Sequence, residues 1–269
     1  MPPSLLKDDA GQAHQPAGAD ARILSLVPSL TELLFDMDLT EQLVGRTSFC
    51  IHPKPGVNDI PSVGGTKRIN MEKVAALAPT HALVNIDETP KQMADNLSAQ
   101  GIVVIVTHPI EVADNRRLFE LIGSLFDRTK AAERLIAAFD AALARMEVGQ
   151  SKRRALYLIW QDPWMTISRD TYISKFLALA GWRTVAHNDL VRYPEVTIDD
   201  TLLDDLDDVL FSTEPYTFNE AALAAFADAH PAHAAKARLI DAEMVSWYGS
   251  RAIAGLSYLK DFAAEVRGR

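Results

Sequence analysis

A short pattern that occurs twice limits the folds open to this chain. The first copy begins at Asn70-Met71-Glu72 and ends near Asp87, and the second begins at Thr197-Ile198-Asp199 and ends at Glu214. Each copy predicts a capped helix with an acid in its first turn, then a buried strand, then a second acid. The sequence therefore predicts two similar α/β lobes with a ligand-binding cleft between them. A chance likeness between two short segments is the alternative.

Apolar runs and helical segments alternate along most of the chain. Such alternation predicts mainly parallel sheets covered by helices on both faces. Strands are predicted at 22–27, 43–47, 82–86, 102–107, 154–160, 165–168, 209–212 and 238–241. Helices are predicted at 29–35, 71–77, 90–100, 111–126, 130–148, 174–180, 198–203, 219–229 and 251–266. The first of these helices would start at a capping box formed by Ser29 and Glu32.

One helix is long enough to join the two lobes. Lys130 to Val148 carries apolar residues at three- and four-residue spacing and would span about 28 Å. We therefore predict an α/β fold with two Rossmann-like lobes, whose mainly parallel sheets are joined by one long rigid α-helix. The predicted divisions are a disordered tail at 1–20, an N-terminal lobe at 21–128, the connecting helix at 129–149 and a C-terminal lobe at 150–269.

Composition argues against several classes of partner. The net charge is −9 and no basic cluster is present, so nucleic acid is not an expected partner. No run approaches the ~20 apolar residues of a membrane-spanning helix, so no membrane insertion is expected. Cys50 is the only cysteine, which excludes an internal disulfide. Residues 1–20 do not read as a signal peptide, which predicts a cytoplasmic protein, or a periplasmic one if a signal has been removed.

The aromatic residues are concentrated in the second half of the chain. All four Trp and all six Tyr lie at or after Tyr157. Six of them are predicted at strand ends or in loops, where open α/β sheets bind ligands. These are Trp160, Trp164, Tyr193, Tyr216, Trp247 and Tyr248. Packing of the core is the alternative role for each ring.

Several segments resemble the first lobe of periplasmic-binding proteins for cobalamin, haem and iron–siderophores. They are Arg22–Phe35, Val63-Gly64-Gly65 and Asn70–Thr80. The resemblance covers about residues 22–266 and implies a non-enzymatic component of an ABC importer with only small hinge motion. It also implies that Glu72 and Asp199 dock onto arginines of a permease. An acid at a helix start also complements the helix dipole, which is the alternative role.

Further runs are similar to members of this class that carry no export signal, described as helical-backbone metal receptors. These runs are Phe49–Pro53, Val63–Lys67, Arg192–Glu195 and Ser246–Arg251. The resemblance implies a metal complex as ligand, such as a corrinoid, haem or an iron chelate. The cations Lys67, Arg169 and Arg251 would hold its anionic groups. The expected ligand-binding set is Ser29, Phe49, Lys67, Glu88, Trp160, Trp164, Arg169, Tyr193, Glu214, Tyr216, Trp247, Tyr248 and Arg251.

A metal bound directly by the protein is the main alternative. Cys50 and His52 lie two residues apart, so an extended chain would point both side chains the same way. With acids from Asp87-Glu88 or Glu214 they would suit zinc, iron or copper. This alternative predicts a cytoplasmic metalloenzyme or metallochaperone.

Overall fold

The structure, a computed structural model, describes residues 6–18, 20–146, 152–186 and 190–268. These residues form two compact units. Unit 1 contains the described residues up to Pro109, together with Ala113–Asp140 and Tyr248–Arg251. Unit 2 contains Ile110–Val112, the described residues from Ala141 to Trp247, and those from Ala252 onward.

Unit 1 is built on a parallel sheet of four strands. An N-terminal hairpin of β1 (Leu6–Lys7) and β2 (Ala13–His14) precedes β3 (Ile23–Ser25), β4 (Leu43–Arg46), β5 (His81–Asn85) and β6 (Val103–Thr107). The last four pair in the order β4-β3-β5-β6, all parallel. The helices are α1 (Pro28–Asp36), α2 (Met71–Leu77), α3 (Lys91–Ala99), α4 (Asp114–Leu125) and α5 (Thr129–Leu143), of which α5 belongs to unit 1 as far as Asp140. The apolar side chains Ala82, Leu83 and Val84 of β5 are all buried, as expected for a sheet covered on both faces.

Unit 2 has five strands, β7 (Arg153–Trp160), β8 (Met165–Thr166), β9 (Trp182–Thr184), β10 (Asp208–Ser212) and β11 (Ala237–Ile240). β7, β10 and β11 lie side by side in parallel, β9 is also parallel to β7, and β8 pairs antiparallel with β7. The helices are α6 (Tyr172–Ala178), α7 (Asp200–Asp204), α8 (Glu220–Ala229), α9 (Ala242–Ser246) and α10 (Arg251–Arg267). The prediction of mainly parallel sheets is therefore confirmed.

The repeated pattern forms the same element pair in each unit. α2 leads into β5, which lies between β3 and β6, and α7 leads into β10, which lies between β7 and β11. Asn70 caps α2 by accepting the Lys73 N–H at 3.0 Å, as predicted. The cap of α7 is Asp199, which accepts the Leu202 N–H at 2.8 Å. The predicted cap Thr197 was wrong, because Asp199 stands directly before the helix and aspartate is itself a strong cap.

The predicted capping box at α1 was also wrong. Val27 occupies the cap position without a side-chain hydrogen bond, and Pro28 is the first helical residue. Proline starts a helix because its φ is already helical and it has no N–H to satisfy. Ser29 consequently lies inside the first turn, where it is buried, and Glu32 is directed to another partner described below.

The N-terminal segment differs from the predicted tail over residues 6–18. His14 Nε2 lies 2.9 Å from Asp8 Oδ2, and both side chains are buried. Asp8 Oδ2 also accepts the Val106 N–H at 3.0 Å, while the Asp9 N–H donates to the Val106 carbonyl at 2.9 Å. The hairpin therefore satisfies hydrogen-bonding groups of β6, the edge strand of the sheet.

The predicted connecting helix is shorter in the structure. α5 spans Thr129–Leu143, about 22 Å at the α-helical rise, and Ala144 and Arg145 form a turn. Residues 147–151, which include the end of the predicted helix, lie outside the described residues. The stiffness of this helix stays a prediction. Among the described residues, no helix combines the length and apolar character needed to cross a membrane.

A buried carboxylate organises the amino-terminal edge of the unit 2 sheet. Asp208 on β10 is fully buried and accepts hydrogen bonds from Arg153 (2.7 and 3.0 Å), Trp182 (2.8 Å) and Arg238 (3.0 Å). Burial alone would raise the pKa of Asp208, but these donors outweigh it and hold the pKa below its ordinary value. Four strands are thereby joined through one side chain.

Candidate functional site

The carboxyl ends of the unit 1 strands carry predicted ligand-binding residues. Ser29 follows β3, Phe49 follows β4, and Glu88 follows β5. Because parallel strands end at a common edge, these residues are brought to the same side of the sheet. Phe49 is 59% exposed and lies beside Gly65, where an added Cβ would approach the ring to 3.3 Å.

The segment Tyr248–Arg251 belongs to unit 1 and is fixed at several points. The Tyr248 hydroxyl donates to Glu88 Oε1 at 3.0 Å, and the Gly249 N–H donates to Asn115 Oδ1 at 2.6 Å. Gly249 has a φ of +83°, and a Cβ there would lie 3.5 Å from the Ser29 carbonyl oxygen. The segment therefore runs along the first turns of α1.

Tyr248 acts as a hydrogen-bond donor in this arrangement. Burial raises its pKa well above the ordinary value, and the neighbouring Glu88 carboxylate raises it further. The phenol therefore stays protonated at neutral pH. Lys67 is drawn to the same place, since its ammonium donates to the Glu88 carbonyl oxygen at 2.9 Å.

Arg251 is paired with Glu32 of α1. Its Nε donates to Glu32 Oε2 at 2.7 Å and its Nη2 donates to Oε1 at 2.8 Å. The side chains of Arg251 and Glu32 are only 13% and 16% exposed. Burial raises the pKa of Glu32, and the adjacent guanidinium opposes that shift. The positive charge of Arg251 is thus balanced within unit 1, which the sequence analysis did not foresee.

Unit 2 presents aromatic side chains near the carboxyl end of β7. Trp160 is the last residue of β7, is 41% exposed, and meets Tyr216 edge to face with ring centres 5.4 Å apart. Trp164 instead stacks on Phe218 at 6.0 Å and packs against the core of the unit. The structure thus gives Trp164 a packing role, and its predicted role in ligand binding stays a prediction.

The remaining predicted residues of unit 2 are held by hydrogen bonds or partly buried. Trp247 is buried and its indole N–H donates to Glu214 Oε1 at 2.5 Å. Arg169 Nε donates to the Thr184 carbonyl at 3.0 Å, at the end of β9. Tyr193 is half-buried in a segment whose neighbouring carbonyls accept the amides of Thr166 and Ser168.

An open groove of about 530 Å³ lies at the carboxyl ends of β10 and β11. Its lining residues are Thr213, Glu214, Leu239, Ile240, Asp241, Glu243 and Tyr258. Three carboxylates therefore contribute to its wall. Of these three, only Glu214 was predicted, although Asp241 is the last residue of a predicted strand and carries the same signal.

The structure does not assemble the predicted metal site. Cys50 is buried after a turn in which its N–H donates to the Thr47 carbonyl, and its Sγ lies 3.2 Å from Thr47 Oγ1. Burial raises the pKa of the Cys50 thiol, which disfavours the thiolate that binds metals. Within the described ranges, no three His, Cys, Asp or Glu side chains are arranged to hold a metal ion.

The two predicted docking acids are exposed, one on each unit. Glu72 lies in the first turn of α2, and Asp199 is the cap of α7. Their position at equivalent helices agrees with the repeat. Docking itself stays a prediction.

Comparison with known proteins points to one family. The vitamin B12-binding protein of Photorhabdus laumondii subsp. laumondii is 27% identical over 204 residues, covering 74% of each chain. The corresponding protein of Yersinia pestis (strain Pestoides F) is 27% identical over 186 residues, covering 68% of this chain and 66% of that one.

Solved structures show the same fold at low identity. The periplasmic vitamin B12 binding protein BtuF of Vibrio cholerae superposes with a TM-score of 0.78 at 18% identity, covering 94% of this chain and 100% of that chain. The periplasmic heme-binding protein RhuT of Roseiflexus sp. RS-1 superposes with a TM-score of 0.74 at 20% identity, covering 92% of this chain and 99% of that chain.

These relatives lend no support to the cytoplasmic location expected from residues 1–20, because the structural neighbours are described as periplasmic. The family is one of binding proteins rather than enzymes. Its model, described as periplasmic binding protein, matches residues 23–233. This chain therefore belongs to the periplasmic binding protein family.

Proposed function

We propose that this protein is a non-enzymatic receptor for a corrinoid-type metal complex, which it delivers to an ABC permease. The observation that carries the proposal is the relationship to proteins named for vitamin B12 binding, which extends over 204 residues. The chemistry at the carboxyl edges of the two sheets supports it. Haem and iron chelates are the other ligands expected from the sequence, and preferential binding of one of them would contradict the proposal.

Exposed aromatic side chains suit a large flat ligand. Phe49 in unit 1 and Trp160 in unit 2 are 59% and 41% exposed, and each follows or ends a strand. When an apolar surface of a ligand covers a ring that is exposed to water, the complex is stabilised by the hydrophobic effect. The corrin ring offers an apolar face of that kind.

The polar groups suit a ligand rich in amides. Glu88 lies at the unit 1 edge, and Glu214, Asp241 and Glu243 line the groove of unit 2. Carboxylates accept hydrogen bonds from amide N–H groups and repel other carboxylates. The side chains around a corrin ring end in amides, whereas haem carries two carboxylates. The charges therefore favour the corrinoid.

Titration with cyanocobalamin and with hemin, each followed by absorbance, tests this function. We expect cyanocobalamin to bind with a Kd in the micromolar range or below, and hemin to bind at least tenfold more weakly. Phe49→Ala and Trp160→Ala should each weaken cyanocobalamin binding about tenfold, the loss of roughly 1.4 kcal/mol of contact. Val103→Ala is the matched control. Val103 is 38% exposed but is the first residue of β6, so it lies at the amino-terminal ends of the strands, away from the candidate site. Tight binding of hemin alone would replace the proposal with a haem receptor.

The cellular compartment of the protein is a separate question, and fractionation of the native host tests it. Family membership favours the periplasm, and recovery in the cytoplasmic fraction would contradict that location. An antibody against this chain, with a known marker for each compartment, distinguishes the two.

A further inference from the structure

We infer that Gly65 is a positioning residue that holds the ring of Phe49 in place at the carboxyl edge of unit 1. The inference rests on the proposed function, because Phe49 is one of the two exposed rings expected to meet the ligand. It assigns to Gly65 the task of leaving space for that ring, so that the ring meets a flat ligand in a fixed position. Gly65 acts through Phe49 and need not contact the ligand.

The backbone around Phe49 is held by hydrogen bonds on both sides of the residue. The Ser48 N–H donates to the Gly64 carbonyl at 2.6 Å, and the Cys50 N–H donates to the Thr47 carbonyl at 3.2 Å. Cys50 is also fully buried, whereas the Phe49 side chain is 59% exposed. The main chain is thus anchored at this point, and the ring that it carries is open to a ligand.

Two adjacent glycines lie beside this ring, and they are required for different reasons. Gly64 has a φ of +132°, and a Cβ there would lie 2.7 Å from the Arg68 carbonyl oxygen, so the turn itself needs glycine. Gly65 has a φ outside the left-handed region, and its N–H donates to the Arg68 carbonyl at 2.9 Å. The nearest atom to a Cβ at Gly65 would be Cε2 of Phe49, at 3.3 Å. The absence of a side chain at Gly65 therefore serves the ring rather than the backbone.

A side chain at Gly65 would displace the ring and leave the turn in place. The distance of 3.3 Å is shorter than the ~3.5–4.0 Å at which two carbon atoms attract each other best. Because Phe49 is exposed, its ring can rotate away into water, which costs less than a movement of the hydrogen-bonded backbone. A ring that has moved no longer presents the same face to the ligand, and the advantage of a preorganised contact is lost.

The test is a double-mutant cycle on Gly65 and Phe49, with cyanocobalamin affinity as the readout. We expect Gly65→Ala to weaken binding about threefold and Gly65→Val about tenfold, as much as Phe49→Ala, because valine fills the space that the ring occupies. In the Phe49→Ala background, Gly65→Val should change the affinity by less than about twofold, since no ring remains to be displaced. A general weakening of the fold would instead lower the affinity in both backgrounds.

Gly56→Ala is the matched control. A Cβ at Gly56 would also meet a phenylalanine ring, at 3.1 Å from Cε1 of Phe35. Phe35 lies near the end of α1, away from Ser29 and the carboxyl edge at which that helix begins. The control should therefore leave cyanocobalamin affinity unchanged. Wild-type affinity in Gly65→Val, or an equal loss with and without Phe49, would overturn the inference.

Two further arrangements keep the inference separate from the proposed function. If Gly65→Val does not fold, Gly65→Ala takes its place in the cycle, and if hemin binds more tightly than cyanocobalamin, hemin becomes the probe. A nuclear Overhauser effect between the Phe49 ring protons and the Gly65 α-protons needs no ligand. We expect it in the wild-type protein, and its absence would overturn the inference whichever ligand binds. Cyanocobalamin binding by the wild-type protein judges the proposed function on its own.

Discussion

Trp182 donates its indole N–H to Asp208 across an intervening strand. The two residues lie on β9 and β10, which flank β7, and the N–O distance is 2.8 Å. Arg153 of β7 and Arg238 of β11 bind the same carboxylate. A sheet of short strands is thus tied together at its amino-terminal edge, away from the candidate ligand residues.

Replacement of Asp208 by Asn should destabilise the protein strongly. The change preserves shape but leaves two arginines without their buried counter-charge, for which we expect a loss of about 3 kcal/mol in the free energy of unfolding. Urea unfolding measures it. Asp205→Asn is the control, because that acid forms an exposed pair with Arg154. It should lower the free energy of unfolding by at most about 0.5 kcal/mol. Equal effects of the two changes would contradict the role of the network.

The same network predicts a pH dependence. The pKa of Asp208 is lowered in the folded protein, so its contribution to stability is fully present above the unfolded pKa of about 3.9. The contribution is lost as the pH falls through the lower folded pKa. Urea midpoints between pH 7 and pH 3 should therefore fall less steeply below about pH 4 in Asp208→Asn than in wild type. Parallel curves would show that Asp208 is not the titrating group.

The buried phenol of Tyr248 should resist ionisation. Its raised pKa predicts that Tyr248→Phe will not reduce the tyrosinate absorbance of the folded protein at pH 10.5. In urea, where all six tyrosines are exposed, the same change should remove one sixth of the signal. A loss of that size in the folded protein would mean that Tyr248 ionises normally.

The docking prediction can be separated from cargo binding. Glu72→Gln with Asp199→Asn removes both charges, and Asn at 199 keeps the cap of α7. We expect permease-stimulated transport to fall at least tenfold while cyanocobalamin affinity is unchanged. Glu120→Gln with Asp228→Asn, two exposed acids on α4 and α8, gives the same change in net charge. If this control pair impairs transport equally, the effect is one of overall charge.

The N-terminal hairpin should contribute to the stability of unit 1. Asp8→Asn should weaken the interaction with His14 and the hydrogen bond from the Val106 N–H. Because Asp8 is a buried charged acceptor, we expect the free energy of unfolding to fall by about 1–3 kcal/mol. Asp20→Asn, at an exposed position, serves as the control. Hydrogen exchange at the Val106 amide provides a local readout, and unchanged protection would show that the hairpin does not hold β6.

Local signals in the sequence were sufficient for the first copy of the repeated pattern. The Asn70 cap, the helical run to Leu77 and the stop before Pro79 all depend on neighbouring residues, and α2 was predicted with its observed bounds. Element types for β5, β6 and β10 followed from buried apolar runs for the same reason.

Contacts between distant residues could not be predicted in this way. Asp8 reaches Val106, and Glu32 reaches Arg251, with no sequence signal that pairs them. The metal hypothesis is not favoured for a related reason: the turn before Cys50 and the burial of its thiol depend on the surrounding core. The candidate residues were found because strand ends are visible in the sequence, whereas their hydrogen-bond partners were not.

Each unit is discontinuous in sequence, and this affects how the protein can be made. Unit 1 takes Tyr248–Arg251 from near the end of the chain, and Glu88, Asn115 and Glu32 all bind that short segment. During synthesis, an N-terminal domain ordinarily completes its folding first. Here its last hydrogen bonds must wait until the ribosome has translated residues 248–251, which follow most of unit 2, so neither unit can be produced whole by a single cut in the gene.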